Sequence, residues 1–303
     1  MRTPSLIVIF LSLPLGVALG QGTSLHRTSP SAKVGTVQTD VPIISGRAIG
    51  GVAVDQAGRI YVSNFRKKVY RIARDGTVTT LTTDFIKASG NTIDENGELL
   101  QSEYDLNELY RIHEDGSRTL ITSTGLSGPV GVAMHHGSIF VVNYLGDTIS
   151  RIAPDGTTSL FSADPLLNGP NGLVFNGAGD MYVANLKDNH LLHVDMAGQA
   201  RVVAAIGQQG AFNNAHVVAI GRKLYVSKIF KHKIFEVDPA GHVELVAGTG
   251  SPGIEDGFAP NEATLYHPNG MATGPGGIIY TNNYIGIMGT PGSRMTIRAI
   301  QLW

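Results

Sequence analysis

The chain of 303 residues contains no cysteine. Disulfides are therefore excluded, and so is the cysteine-linked lipid of a bacterial lipoprotein. Charge is sparse and balanced, with 23 Lys and Arg against 24 Asp and Glu and a net charge of −1. No basic run or stripe stands out, which argues against nucleic acid as a partner. After residue 19 no apolar run is long enough to span a bilayer, so no membrane association is expected of the mature chain. Stability without disulfides requires a core, and a chain of this length can bury one.

The first residues read as a targeting segment. Arg2 gives a positive start, residues 6–19 are mostly apolar but broken by Pro14, and Ala18-Leu19-Gly20 is a small-residue cleavage site. Residues 1–20 are thus expected to be a signal peptide, and the protein to be exported, either to a periplasm or beyond the cell. Residues 21–33, with Ser24, Ser29, Pro30 and Ser31, read as a flexible leader.

What the chain has in abundance is repetition. A small or apolar start, a turn, an apolar run and a polar stop recur six times: GVAVDQAGRIYVSN from Gly51, NTIDENGELLQSE from Asn91, GVAMHHGSIFVVN from Gly131, NGLVFNGAGDMYVAN from Asn171, HVVAIGRKLYVSK from His216 and NGMATGPGGIIYTN from Asn269. The stops are Asn64, Glu103, Asn143, Asn185, Lys228 and Asn282, spaced by 39, 40, 42, 43 and 54 residues. Such a period with strand-like content predicts one propeller blade per repeat. The fold class is therefore all-β, a six-bladed β-propeller of four-stranded blades over residues 34–303. In the third repeat the strands are predicted at 132–134, 139–142, 148–153 and 157–162, with the tight Pro154-Asp155-Gly156 hairpin before the last. The sixth repeat lacks a fourth strand. Residues 34–39 match the outer strand of the first repeat and are predicted to close the ring.

Strand alternation then sorts residues onto faces. Asn91, Asn171, His216 and Asn269 fall with the stops and with Phe65, Tyr104, Tyr144 and Tyr284 on one face. The longest link, residues 248–268, lies there too and reads as a packed lid. It contains GTGSPG from Gly248, but no helix follows, so this is no dinucleotide loop. No Gly-x-Ser-x-Gly elbow stands out.

The repeat from Asn91 to Glu103, and the starts Pro170-Asn171-Gly172 and Pro268-Asn269-Gly270, resemble the gluconolactonase and senescence-marker (regucalcin-like) family of six-bladed propellers. Residues 248–283 resemble an NHL repeat, with GTGSPG, His-Pro-Asn-Gly and Gly-Gly-Ile-Ile-Tyr. The resemblance implies a divalent metal, usually calcium, on oxygen ligands near the tunnel, and hydrolysis of a lactone or ester there. It implies Asn171 and Asn269 as metal ligands and Asn91 as a substrate-contacting or metal-adjacent residue. Two departures stand out. The first-blade Glu of the family is absent, with Gly50-Gly51-Val52 in its place, and His216 stands where Asn or Asp is expected.

Several residues are candidates for chemistry. Asn91, Asn171 and Asn269 can point amide oxygens at the axis, although Asn beside Gly also suits a turn. Glu103, the one acid among the stops, is a candidate metal ligand or general base. His216 is a candidate base or ligand, and His267 a weaker one. Lys228 can pair with a substrate carboxylate or stabilise an oxyanion. Tyr104 and Tyr144 are candidate ligand contacts. Two functions compete: a metal-dependent hydrolase of the lactonase type acting on a small molecule, and a non-catalytic NHL-type propeller binding a small molecule or peptide.

Overall fold

A computed structural model describes residues 32–42, 50–207, 214–285 and 294–302. The expected signal peptide and nearly all of the leader lie outside the described residues. Six antiparallel sheets follow one another around a ring, each contacting the next and the sixth contacting the first. Blade one comprises Val52–Val54, Ile60–Ser63, Val69–Ile72 and Val78–Thr82. Blade two comprises Ala88–Ile93, Leu99–Glu103, Glu108–Ile112 and Arg118–Thr122. Blade three comprises Pro129–His135, Ser138–Asn143, Thr148–Ile152 and Thr158–Ser162. Blade four comprises Pro170–Phe175, Met181–Asn185, His190–Val194 and Ala200–Ala205. Blade five comprises Asn214–Ile220, Lys223–Lys228, Lys233–Val237 and Val243–Ala247. All four strands expected in the third repeat are observed, with ends that differ by at most three residues.

The outer hairpins show why the sequence turns where it does. The glycine after each aspartate takes a left-handed backbone, φ 84° at Gly76 and 86° at Gly156. The preceding carboxylate accepts the amide of the residue after the glycine, Asp75 from Thr77 and Asp155 from Thr157, both at 2.9 Å. These hydrogen bonds hold the Asp75 and Asp155 carboxyls below the usual range.

Blade six closes the ring as the sequence suggests. Its sheet runs Met271–Thr273, Ile279–Ile285, Arg294–Leu302 and then Ala32–Pro42 from the N-terminal side. Val34 pairs with Ile300 and Val37 with Ile297. Between blades the apolar faces interlock. Val62 and Ile72 of blade one pack on Tyr284, Met295 and Ile297 of blade six. Phe140 and Val142 of blade three pack on Leu173 and Val183 of blade four. No helix among the described residues is long and apolar enough to cross a membrane.

The 248–268 link corrects one expectation. Its middle, Gly257–Ala259, adds a fifth strand to the outer edge of blade six by pairing with Ala32–Val34. The fully buried Arg298 anchors it, with Nη1 donating to Thr264 O and Nη2 to Glu255 O and Asp256 Oδ1, each at 2.9 Å. The link is a covered sheet edge and not a lid over the tunnel.

Candidate functional site

The register of each inner hairpin fixes which residues meet at the axis. Gly172 pairs with Ala184 and His216 with Ser227. Extending the printed registers of the other blades by one residue aligns Gly51, Gly90, Gly131 and Gly270 with them. Five of these six equivalent positions are thus glycine. A Cβ at Gly51 would stand 2.6 Å from Asn91 N, one at Gly131 2.6 Å from Asn171 O, and one at Gly172 2.7 Å from the His216 Cα. At Gly270 it would stand 2.9 Å from Gly50 O. Each inner strand therefore lies against the backbone of the next blade, an approach that only glycine allows. His216 is the one side chain at this level.

Side chains one step outward tie the blades together. Ser102 Oγ donates to Val130 O at 2.9 Å, Ser227 Oγ to Asn269 O at 2.8 Å, and Asn282 Nδ2 to Gly50 O at 2.8 Å. Asn171 and Asn269 occupy equivalent positions. Asn171 Nδ2 donates to Ala215 O, and Asn269 Nδ2 reaches Gly50 O at 3.5 Å.

Above this throat opens a pocket of about 490 Å³. Its collar comes from the residue after each of Asn64, Glu103, Asn143, Asn185 and Lys228: Phe65, Tyr104, Tyr144, Leu186 and Ile229, with Phe230 beside the last. The Phe65 and Tyr104 rings are 5.6 Å apart, and those of Tyr104 and Tyr144 6.5 Å. Burial, with Tyr144 and Asp105 nearby, pushes the Tyr104 phenol pKa up, so it stays neutral. The sixth equivalent, Tyr284, is fully buried under the rim. Among the described residues the lining holds no carboxylate, lysine or arginine.

Asn171, Asn269, His216, Tyr104 and Tyr144 thus meet in one pocket, as the sequence places them on one face. His216 donates its backbone amide to Ser227 Oγ at 3.0 Å. Burial lowers its imidazole pKa to about 4, so it is neutral at physiological pH. Its Nδ1 is buried with no hydrogen-bond partner among the described residues.

Three expectations are corrected. Asn91 lies opposite Gln101, one residue beyond the glycine level, where other blades carry Val132, Leu173 and Val217. Its side chain is buried between blades and donates to Gln101 Oε1 at 3.2 Å. The order Gly90-Asn91, against Asn171-Gly172 and Asn269-Gly270, is the signal that separates it from the other two.

Glu103 is fully buried and does not line the pocket. Its carboxylate accepts the backbone amides of Ile86 at 2.8 Å, Lys87 at 2.9 Å and Asp105 at 3.2 Å. It ties down the link that enters its blade, as Asn143 does for Ser127 N at 3.0 Å and Asn185 for Asn168 N at 3.2 Å. In blade six this position belongs to Asn283, which accepts Tyr266 N at 3.0 Å, and not to Asn282.

Lys228 holds the same position in blade five. It too lies outside the pocket lining, nearly fully buried, with Nζ donating to Ile206 O. Desolvation and the nearby Lys231 lower its pKa to about 8. Its ammonium is committed to the backbone and not to a substrate.

The pocket rim shows one device that sequence reasoning underrated. Ile229 and Phe230 sit on a short 3₁₀ turn, Ile229–Lys231. His267 backs it: its ring pairs with the Ile229 backbone, and its amide donates to His232 Nδ1 at 3.1 Å. Both histidines have left-handed backbones, φ 57° at His232 and 50° at His267, and His267 precedes a proline, where that conformation is disfavoured. Burial, with His232 beside it, lowers the His267 pKa to about 4.

This predicts a sign for the pH dependence. The unfolded chain takes up protons at His216 and His267 below about pH 6.5, while the folded chain takes them up only near pH 4. Stability is therefore highest above that range and falls between them. A loss of about 2 kcal/mol for each imidazole is expected between pH 7 and 4, discounted for partial solvent contact. Urea unfolding at a series of pH values measures it, and the double variant His216→Phe/His267→Phe is expected to flatten that part of the profile.

The donor set does not fit calcium. That ion takes six to eight oxygens, carboxylates prominent among them. The described lining offers two side-chain amides, an imidazole and backbone carbonyls. No cluster of three His, Asp or Glu residues suited to a metal occurs among the described residues.

The architecture defines a class: a six-bladed β-propeller with an apolar pocket at one end of its central channel. No family model matches the chain, and no curated protein matches it in sequence. Solved structures share its fold. A gluconolactonase from Xanthomonas campestris aligns with a TM-score of 0.68 and 16% identity over 90% of this chain and 90% of its own. A catalytically inactive virginiamycin B lyase from Staphylococcus aureus, solved with quinupristin, aligns at 0.58 and 16% over 85% and 82%. A protein of unknown function from Bacteroides thetaiotaomicron aligns at 0.71 and 15% over 89% and 76%. The chain thus shares a β-propeller fold with these solved structures.

Proposed function

We propose that this protein is an exported propeller that binds a small, uncharged organic molecule in its central pocket. One observation carries the reading: the described lining is aromatic and aliphatic, with no carboxylate, lysine or arginine. A volume of about 490 Å³ lies within the range of small-molecule sites, roughly 300–1,000 Å³, and is tight for a folded peptide. A charged ligand would lose its water there without gaining a counter-ion.

The lactonase-type hydrolase is the second reading. The convergence of His216 and Asn171 on one pocket favours it, and so does the residue resemblance at the two Asn-Gly strand starts. Against it stand the missing carboxylate and the low basicity of His216, whose pKa near 4 makes it a poor general base at neutral pH.

Fluorescence titration with the neutral probe N-phenyl-1-naphthylamine tests the binding reading. Saturable one-site enhancement is expected, weakened about tenfold or more in Leu186→Trp, which narrows the collar, with unchanged circular dichroism. Equal enhancement in both proteins would put the probe elsewhere.

A further inference from the structure

We propose that the ligand is an amphiphile with a flat aromatic ring at one end and a hydrogen-bond donor at the other, held in a single orientation. This rests on the ligand-binding reading and gives it a chemical class. The pocket is divided along its width. Blades one to three supply the rings of Phe65, Tyr104 and Tyr144, above the bare backbone of Gly51, Gly90 and Gly131. Blades four to six supply the polar side chains Asn171, His216 and Asn269 at the floor, below Leu186, Ile229 and Phe230 at the rim.

The aromatic side is pre-set. Tyr104 carries the Lys87 ammonium at 5.4 Å from its ring centre, and Tyr144 carries that of Lys187 at 5.0 Å. Each lysine is itself fixed by a carboxylate, Lys87 by Asp105 at 2.7 Å and Lys187 by Asp147 at 3.1 Å. The rings are thereby pinned, so a ligand ring can stack or pack edge-to-face without ordering them first. A saturated ring would fill the same volume without that gain.

The polar side selects a donor. The Asn171 amide nitrogen is committed to Ala215 O, which leaves its carbonyl oxygen as the atom for a ligand. His216 adds an uncharged imidazole to the wall, with its Nδ1 enclosed and not open to the pocket. A hydroxyl or amide N–H on the ligand satisfies that oxygen, whereas an anion meets no cation in the described lining. The two halves together dictate direction: ring toward blades one to three, donor toward blade four.

Four probes separate the elements by calorimetry on the full chain: 2-naphthol, 2-methylnaphthalene, trans-2-decalol and 2-naphthoate. 2-Naphthol is expected to bind about tenfold more tightly than each of the others. Tyr144→Leu is expected to weaken 2-naphthol about three- to tenfold and to leave decalol unchanged. Asn171→Leu is expected to abolish the preference for 2-naphthol over 2-methylnaphthalene. Equal affinities for naphthol and decalol in the native chain would overturn the aromatic end while leaving the pocket reading intact. Equal affinities for naphthol and methylnaphthalene would overturn the donor end, and preference for naphthoate the absence of charge. Binding of none of the four would sink the ligand-binding reading itself.

Discussion

Gly131→Ala is expected to destabilise the propeller by about 2–3 kcal/mol, although it adds a single methyl group in a favourable strand conformation. The Cβ would lie 2.6 Å from Asn171 O, 3.1 Å from Val142 Cγ2 and 3.2 Å from the Gly172 Cα. The first and third of these are backbone atoms of the next blade, so no side chain can swing away. Blade four has to move outward, and the ring transmits that displacement because it is closed. A fall in melting temperature of about 5–10 °C is expected by calorimetry. Gly177→Ala is the control. Gly177 is exposed, its Cβ would meet nothing within 4 Å, and its backbone is not left-handed. That change is expected to be neutral or slightly stabilising. Equal losses at the two sites would show that Gly131 matters for chain entropy and not for the contact between blades.

Glu103→Ala is expected to cost about 2–4 kcal/mol in urea unfolding and to leave probe binding in the central pocket within about twofold. The substitution strips the acceptor from three backbone amides, Ile86, Lys87 and Asp105, at a fully buried site. Glu103→Gln keeps one acceptor oxygen and adds a donor next to amides that are themselves donors, so an intermediate loss is expected. The contrast with a functional role is sharp. A general base or metal ligand at Glu103 would make the Gln variant nearly native in stability and deficient in ligand or metal binding.

These two sites also show how far the sequence was legible. The blades, the closing strand and the pocket face follow from period, turn glycines and strand alternation, all of which are local. Even the collar residues Tyr104 and Tyr144 were placed on the correct face. What local reasoning confuses is the direction of neighbours. Glu103 and Tyr104 are adjacent, and adjacent residues at a strand end point to opposite sides. Tyr104 enters the pocket and Glu103 turns back to the link. Asn91 shows the same error along the strand, where a single-residue shift relative to the glycine moves it from the channel to the inter-blade core.

The glycine ring was visible as letters in four of the repeat starts, but its meaning was not. Glycine there reads as a small start, and only the ring geometry reveals that each one faces the backbone of another blade. The link that adds Gly257–Ala259 to blade six was misread for a related reason. A strand of three residues has no periodicity to detect, and its partner lies more than two hundred residues away, so length suggested a lid where closure made an edge.

The central claim is that the pocket is built for an uncharged ligand and not around a divalent ion. Calcium titration by calorimetry, after chelator treatment of the full chain, tests it most directly. No saturable one-site heat is expected up to millimolar calcium, and none in Asn171→Ala or Asn269→Ala. Tight one-site binding that vanishes in Asn171→Ala would contradict the claim and return the pocket to metal-dependent chemistry.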